Sequence, residues 1–404
     1  MNTISDVLVV GAGPCGSFTA MHLAKLGKSV TVFEEHNQIG IPTHCAGHLS
    51  IIGLKQLGLY SLPPDIIQNS FKGANFYSPN GNKFTVHFNR PITCTVDRAK
   101  FDRYIAEKAQ NAGAEYHLNS HVEALTLNNG TTEGVIVRQQ TEEHNHARIV
   151  VDAEGILSKL SRQAGLPAPQ RIVKAVEAEV ENLHDTESDS VDVYLGNSYA
   201  PGFYAWLIPK KDGKAKVGLA AKTGNPKELL ERLIRKQPAA SRKLRSAKIL
   251  SSTFHSITLG GPATHPYSNG FLAIGDAASQ VKPTTGGGVI MGLTCAQAAA
   301  KVASEALDNN DSSSQFLKKY GNLCRKLLSF DMKIMLGMRS TLDSMSDQRL
   351  NYAIALCTKL GLDKTLQNVE DIDFQGKTLV HALRNPRIMV AVSYFLYAFL
   401  SANL

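Results

Sequence analysis

A chain of 404 residues, 43% hydrophobic and 19% charged, has a globular composition and is long enough for two or three domains with sizeable cores. Its net charge of +8 admits nucleic acid, an anionic membrane or an anionic substrate as partner; no nucleic-acid motif accompanies that charge, so nucleic acid is excluded. Cysteines 15, 45, 94, 295, 324 and 357 form no CxxC pair and no zinc-spaced cluster, and the first core strand begins near Asp6 with no room for a signal peptide before it, so a reducing, cytoplasmic setting is expected.

The first thirty-five residues are the most informative. Val7–Val10 reads as a buried strand that runs into Gly11-Ala12-Gly13-Pro14-Cys15-Gly16, an alanine-rich helix, and a second strand ending at Phe33-Glu34. In such a βαβ unit Gly11 permits the tight turn, Gly13 lets a pyrophosphate approach the backbone, and Gly16 lets helix and strand pack closely. Glu34 falls eighteen residues after Gly16, where a carboxylate accepts from ribose hydroxyls. This predicts a dinucleotide site and leaves FAD and NAD both open.

A loop then carries His44-Cys45-Ala46-Gly47-His48-Leu49-Ser50, followed by a helix toward Leu59. Phe71–Phe88 alternates and turns at Pro79-Asn80-Gly81, as a hairpin does. A helix is expected over Asp97–Ala112 and strands over Ala114–His117, Val122–Leu127, Gly134–Gln139 and Ala147–Val151, before a turn at Asp152-Ala153-Glu154-Gly155. Ile172–Glu181, Ser190–Leu195, Tyr204–Pro209 and Ala215–Ala220 read as strands of another sheet. Pro226–Arg235 reads as a helix, and Ser246–Thr258 as extended. The stretch Lys227–Lys248 is rich in Lys and Arg, including Arg232, Arg235, Lys236, Arg242, Lys243 and Arg245, and reads as a solvated face or as one turned toward anionic headgroups or the substrate's phosphate.

Phe271–Ile274 delivers Asp276 at a strand's carboxyl end, where ligands of open α/β sheets bind. A ribitol chain, which NAD lacks, offers hydroxyls for Asp276 to accept from. Pro283–Gly288 then bares backbone N–H groups at the start of the helix Val289–Leu307, and a helix N-terminus favours negative charge. Gly288 and Val289 are therefore expected at the N1–C2=O edge of an isoalloxazine. The two fingerprints together predict FAD.

Together these motifs resemble the geranylgeranyl reductase family, within the flavoproteins similar to p-hydroxybenzoate hydroxylase. The resemblance covers roughly residues 5 to 310 and rests on GAGPCG with Glu34, CAGHLS, Val96–Asp102, Asp152–Gly155 with Ser158, Tyr204–Pro209 and GDAAS. It implies an α/β (α+β) fold: a discontinuous Rossmann-type FAD-binding domain (1–60, 92–160 and 262–310), an inserted antiparallel-sheet substrate domain (61–91 and 161–261) and a helical C-terminal region (311–404). It implies FAD contacts at Gly11, Gly13, Cys15, Gly16, Glu34, Cys45, Ala46, Gly47, Arg98, Val122, Asp276, Gly287, Gly288 and Val289. Tyr204 and Trp206 would line the path of an isoprenoid, with Ile208 where the family usually carries Phe.

Cys45 is the implied catalytic residue. Saturating an isolated alkene needs a hydride on one carbon and a proton on the other, in a dry pocket. A free cysteine titrates near about 8.5 and still carries its proton at neutral pH; it either donates directly or shapes the pocket for a water donor. His44, Cys45 and His48 lack a fourth ligand, so no metal is expected. The implied substrate is an isoprenoid lipid, foremost the unsaturated diether phospholipid of archaea. The electron donor is NAD(P)H or ferredoxin. Glu154, standing where the family has Asp, puts a nicotinamide contact at that turn in doubt.

From Ile388 to Leu404 no residue is charged, and Arg384 and Arg387 stand just before. A buried core helix and a helix lying against a bilayer both fit this, so a peripheral position on the inner membrane face is expected beside a cytoplasmic one. The competing readings are a flavin monooxygenase of the same fold, an electron-transfer flavoprotein passing electrons to quinone, and a non-enzymatic FAD scaffold.

Overall fold

The computed structural model describes residues 5–138, 141–367 and 371–401. Contacts divide the chain into two compact units. One comprises residues up to Thr43 with Arg98–Arg171 and Thr258–Phe330; the other comprises His44–Asp97, Ile172–Ile257 and the chain from Asp331 onward.

The first unit is built on a parallel sheet. Ser5–Val10 lies between Val30–Phe33 and Glu142–Asp152, parallel to both. Glu115–His117 adds beyond Val30–Phe33, and Phe271–Ala273 beyond Glu142–Asp152. Val7–Val10, Val30–Phe33 and Phe271–Ala273 are buried throughout and apolar but for Thr31, as strands covered on both faces are. The strand Glu142–Asp152 is long enough to leave this sheet and pair antiparallel with Thr131–Arg138, which pairs in turn with His121–Asn128. Gln139, expected in that strand, lies outside the described residues. Helices Pro14–Lys25, Arg98–Asn111 and Val289–Asp308 pack together over the sheet.

The second unit carries a seven-stranded sheet in the order Lys248–Thr258, Ile172–Glu181, Ala215–Ala221, Ala205–Pro209, Ser190–Tyr194, Gly73–Tyr77, Lys83–His87. One pairing departs from the antiparallel expectation: Ser190–Tyr194 runs parallel to Gly73–Tyr77. The chain leaves this sheet after Lys83–His87 and returns only at Ile172, and such a long crossover is what a parallel neighbour requires. A smaller sheet pairs His48–Ser50, Thr93–Val96 and Ile67–Phe71. That pairing is why 44–60 and 92–97 pack with this unit, whereas the sequence boundaries placed them with the nucleotide-binding segments.

The large sheet has two different faces. Val176, Ala178, Val180, Ala205, Leu207, Val217 and Leu219 form one core with Leu229, Leu230 and Leu233 of helix Pro226–Lys236. That helix starts sharply because Asn225 accepts from the Lys227 N–H and Pro226 occupies the first helical position. Side chains alternate along strands, so Glu177, Lys216, Gly218, Trp206 and Ile208 share the opposite face. Lys243, part of the basic stretch, points inward instead of to solvent: its ammonium lies 2.7 Å from Asp192, which also accepts from Tyr194.

Beyond the long helix Ser314–Ser344, the helices Asp347–Lys359, Leu362–Leu366, Gln375–Ala382 and Pro386–Leu400 close the chain. Ile354, Leu362, Ile388 and Ala391 pack on Phe84, Val86 and Phe88. The last helix is therefore buried along one side only. Met389, Val390, Leu396 and Tyr397 on its other side are exposed, Tyr397 by 68%. No helix among the described residues is long and apolar enough to cross a membrane. Residues 402–404 of the uncharged terminal stretch lie outside the described residues.

Candidate active site

The glycine turn of the first unit is fixed from three directions. Gly11 adopts φ +100°, and a Cβ there would lie 2.5 Å from the Ala153 carbonyl oxygen. A Cβ on Gly16 would lie 2.0 Å from the Gly11 carbonyl oxygen, so this helix start fits the strand only as glycine. Over Gly13 the space is open: a Cβ there would meet nothing within 4 Å. Glu34 does more than wait for a sugar. Its carboxylate accepts from the Ala12 N–H at 2.8 Å and from the His36 N–H at 3.0 Å, which ties the end of the second strand to the turn. The His36 ring Nδ1 also lies 2.6 Å from Oε1, so of a carboxylate's about four acceptor directions one is left for a ribose hydroxyl.

The second glycine-rich segment converges on the first. A Cβ on Gly275 would stand 3.0 Å, and one on Gly292 2.5 Å, from Cys15 Sγ, so the thiol packs where these glycines leave room. Burial, with Asp276 adding, pushes the Cys15 thiol well above its ordinary range. It is an inert packing group. Asp276 is solvent-accessible yet closely surrounded by protein. The resulting desolvation raises its carboxyl, while the Arg98 guanidinium pulls the other way. Arg98 is itself held by a bidentate pair to Asp102, both bonds 3.0 Å, which explains why the R-x-x-F-D spacing matters: Asp102 one turn on orients the guanidinium.

Gly288 precedes the helix Val289–Asp308 with no side-chain cap, which leaves first-turn N–H groups without an intrahelical partner. Gly287 lies against Lys282, whose Nζ would be 3.4 Å from a Cβ there. Val122 packs with Val10 and Phe33 in the core beneath the end of the second strand.

In the second unit, Cys45 is a half-buried free thiol whose Sγ accepts from the Gly47 N–H at 3.4 Å. Gly47 takes φ +71° and its carbonyl accepts from Val96 N–H at 2.9 Å, which passes the loop into the strand His48–Ser50. His48 Nε2 pairs with Thr93 Oγ1 at 2.7 Å, so this ring supports the small sheet. His255 is pushed down to about 4 by burial, with His44 adding, and stays neutral at ordinary pH. Tyr204 and Trp206 meet edge to face, with ring centroids 5.9 Å apart. Trp206 lies across Gly218, where any Cβ would come within 2.6 Å of the indole.

The sequence model of the FAD-binding domain family matches residues 4–328. The digeranylgeranylglycerophospholipid reductase of Methanocaldococcus jannaschii is 34% identical over 367 residues, covering 89% of this chain and 92% of its own. Digeranylgeranylglycerophospholipid reductase 2 of Methanopyrus kandleri is 33% identical over 355 residues, covering 86% and 88%. This chain belongs to the digeranylgeranylglycerophospholipid reductase family. A solved structure of a geranylgeranyl bacteriochlorophyll reductase-like protein from Thermoplasma acidophilum is 26% identical, with a TM-score of 0.85 over 97% of this chain and 99% of that one. The chain is an FAD-binding flavin oxidoreductase. Its own residues fit that cofactor: the space over Gly13, the uncapped start of Val289–Asp308, the carboxylates of Glu34 and Asp276, and the guanidinium of Arg98.

Sequence reasoning read Asp152 and Glu154 as part of a turn but not what their carboxylates hold, and it missed other groups altogether. Asp152, wholly buried, accepts from Ser161 Oγ at 2.6 Å, Ser161 N–H at 3.1 Å and Glu154 N–H at 3.0 Å, and so braces the turn that abuts Gly11. Glu154 accepts from the Lys159 and Leu160 N–H groups, which is a helix-capping role. Lys282, Lys216 and Glu177 were also missed, because nothing near them in the chain marks their position.

Burial, with Glu154 adding, raises the Asp152 carboxyl to about 7. The folded chain then binds this proton more tightly than the unfolded one. Stability from this group is present below the ordinary carboxylate range and is lost as pH rises toward about 7, after which it levels. Asp152→Asn is expected to flatten that part of the profile. Urea unfolding of both proteins at mildly acidic and mildly alkaline pH checks it; identical slopes would contradict it.

Proposed function

We propose that this chain saturates the C=C bonds of geranylgeranyl chains carried on a digeranylgeranylglycerol phospholipid. The observation that carries this reading is the near full-length identity with relatives named for that reaction. FAD, which the Gly11–Gly16 turn, Glu34, Arg98, Asp276 and the start of Val289–Asp308 would hold, would when reduced supply a hydride to one alkene carbon, and the other carbon needs a proton. Cys45 Sγ–H is the proton donor, on a loop held by Gly47 and Val96. Tyr204, Trp206 and Ile208, on the sheet face that also carries the Glu177–Lys216 pair, provide aromatic and aliphatic surface for a prenyl chain to lie against. The electron donor is NAD(P)H or a ferredoxin.

The test is anaerobic incubation of dithionite-reduced protein with the unsaturated phospholipid and, separately, with geranylgeranyl diphosphate. Products heavier by two hydrogens per reduced bond are expected, foremost from the phospholipid. A parallel incubation in air that gives hydroxylated product with oxygen consumption, and no saturated product without air, would show a monooxygenase instead.

The half-exposed last helix supports a peripheral membrane position. Met389, Val390, Leu396 and Tyr397 present an apolar strip, and Arg384 and Arg387 lie exposed at its start. The protein is expected to co-sediment with anionic phospholipid vesicles. Met389→Glu with Leu396→Glu is expected to abolish sedimentation without altering the unfolding midpoint. Undiminished sedimentation of that variant would exclude the helix as the contact.

A further inference from the structure

We propose that Lys216 is a positioning residue for the Cys45 thiol, and that Glu177 couples it to Trp206, so that one buried ion pair sets both the thiol loop and the indole. The proposal rests on the reductase reading above for the role of Cys45, and on geometry for everything else.

Lys216 is 8% exposed and Glu177 6%. A lysine ammonium has three donors and no acceptor. Here Nζ donates to the Cys45 carbonyl at 2.9 Å and the Ala46 carbonyl at 3.3 Å, and Glu177 Oε1 stands 3.5 Å away. Two consecutive carbonyls turned toward one cation define the loop's path. Downstream, the Gly47 carbonyl bond to Val96 N–H and the pairing of His48 with Thr95 hold it. The thiol belongs to the first residue of this doubly anchored stretch, with the Gly47 N–H directed at its sulfur.

The other oxygen of the same carboxylate, Glu177 Oε2, accepts from the Trp206 indole N–H at 3.2 Å. Desolvation raises the Glu177 carboxyl, while Lys216 and the indole N–H favour its charged form. The strand register makes this possible. Glu177 is opposite Gly218, and Gly218 opposite Trp206, so all three lie in one row with Lys216 two residues along on the same face. A buried ion pair is a weak source of stability, and apolar replacements of similar volume are often neutral. The consequence of this pair therefore lies in where it holds the loop and the ring.

The test uses FAD-loaded, full-length Lys216→Met, Glu177→Gln and the double variant. Three readouts are taken: the alkylation rate of Cys45 relative to Cys357 by peptide mass spectrometry, the emission of Trp206, which is the chain's one tryptophan, and kcat and KM for lipid reduction. Lys216→Met is expected to change the Cys45 to Cys357 ratio several-fold and to lower kcat by about 10²-fold, the size of a misplacement near 1 Å, with KM and the flavin spectrum little changed. Glu177→Gln is expected to shift Trp206 emission and to move Cys45 alkylation in the same direction.

A folded Lys216→Met with wild-type alkylation ratio and kcat overturns the proposal. If the single variants do not fold, the double variant, which buries no unpaired charge, decides by the same ratio. Should wild type reduce no geranylgeranyl lipid, the reductase reading fails, while alkylation and emission still decide the positioning role.

Discussion

Cys45→Ala is expected to lower kcat for lipid reduction by about 10²- to 10⁴-fold, the usual range for loss of a general acid, with bound FAD and unfolding midpoint retained. Cys45 is free, half-buried, and on a loop rather than in a core strand, so its removal leaves no packed cavity. Its main-chain atoms carry the structural bonds, to Lys216 and through Gly47 to Val96, and these survive a side-chain change. Cys45→Ser separates the two roles open to the thiol. Serine keeps the shape but is a far weaker acid, so a proton donor predicts a loss comparable to alanine. A serine variant with wild-type kcat would move the proton to water and leave Cys45 to shape the pocket. Flavin reduction by dithionite, followed by single-turnover mixing with lipid, isolates the step.

Gly13→Ala and Gly16→Ala are expected to lose FAD for different reasons, and the pair tests the cradle. A Cβ on Gly16 would press within 2.0 Å of the Gly11 carbonyl oxygen and 3.1 Å of Ala153 Cβ. Helix and strand must separate, at a cost of about 1–3 kcal/mol or more for such overpacking. The unfolding midpoint of the apoprotein should fall along with flavin content. Gly13 has φ −62° and ψ 176°, which alanine adopts freely, and its Cβ would meet no protein atom within 4 Å. Gly13→Ala should therefore unfold like the wild-type apoprotein yet bind FAD at least about tenfold more weakly, because the methyl occupies the approach a pyrophosphate needs. Flavin absorbance against protein concentration, with thermal unfolding of the apo forms, reads both effects. A Gly13→Ala protein with full flavin content would remove the cradle from its assigned place.

Much of the fold was legible because its signals are local. The GAGPCG turn, the alternation over Ile172–Glu181 and the glycines before Val289 each act within a few residues. The parallel pairing of Gly73–Tyr77 with Ser190–Tyr194 was not legible, since it joins strands more than a hundred residues apart. Lys243 looked like surface charge in a basic run, but it ends a short helix and its partner Asp192 lies on the strand Ser190–Tyr194, 51 residues earlier. The last helix was readable as apolar and unreadable as to its surroundings. Only packing on Phe84, Val86 and Phe88 shows which side is buried.

By itself the sequence determined that this chain binds FAD, and it led to the expectation that two glycine-rich segments, Glu34 and the strand-end Asp276 hold the nucleotide. Turn chemistry and helix termini act through the backbone of neighbouring residues, and that is written in order along the chain. Only the tertiary structure decided how Cys45 is held. Lys216 reaches it across 171 positions of sequence, and Glu177 and Trp206 join through cross-strand register. A buried ammonium takes whichever carbonyls and carboxylate the folded strands bring within about 3 Å of it, and no local pattern encodes that choice.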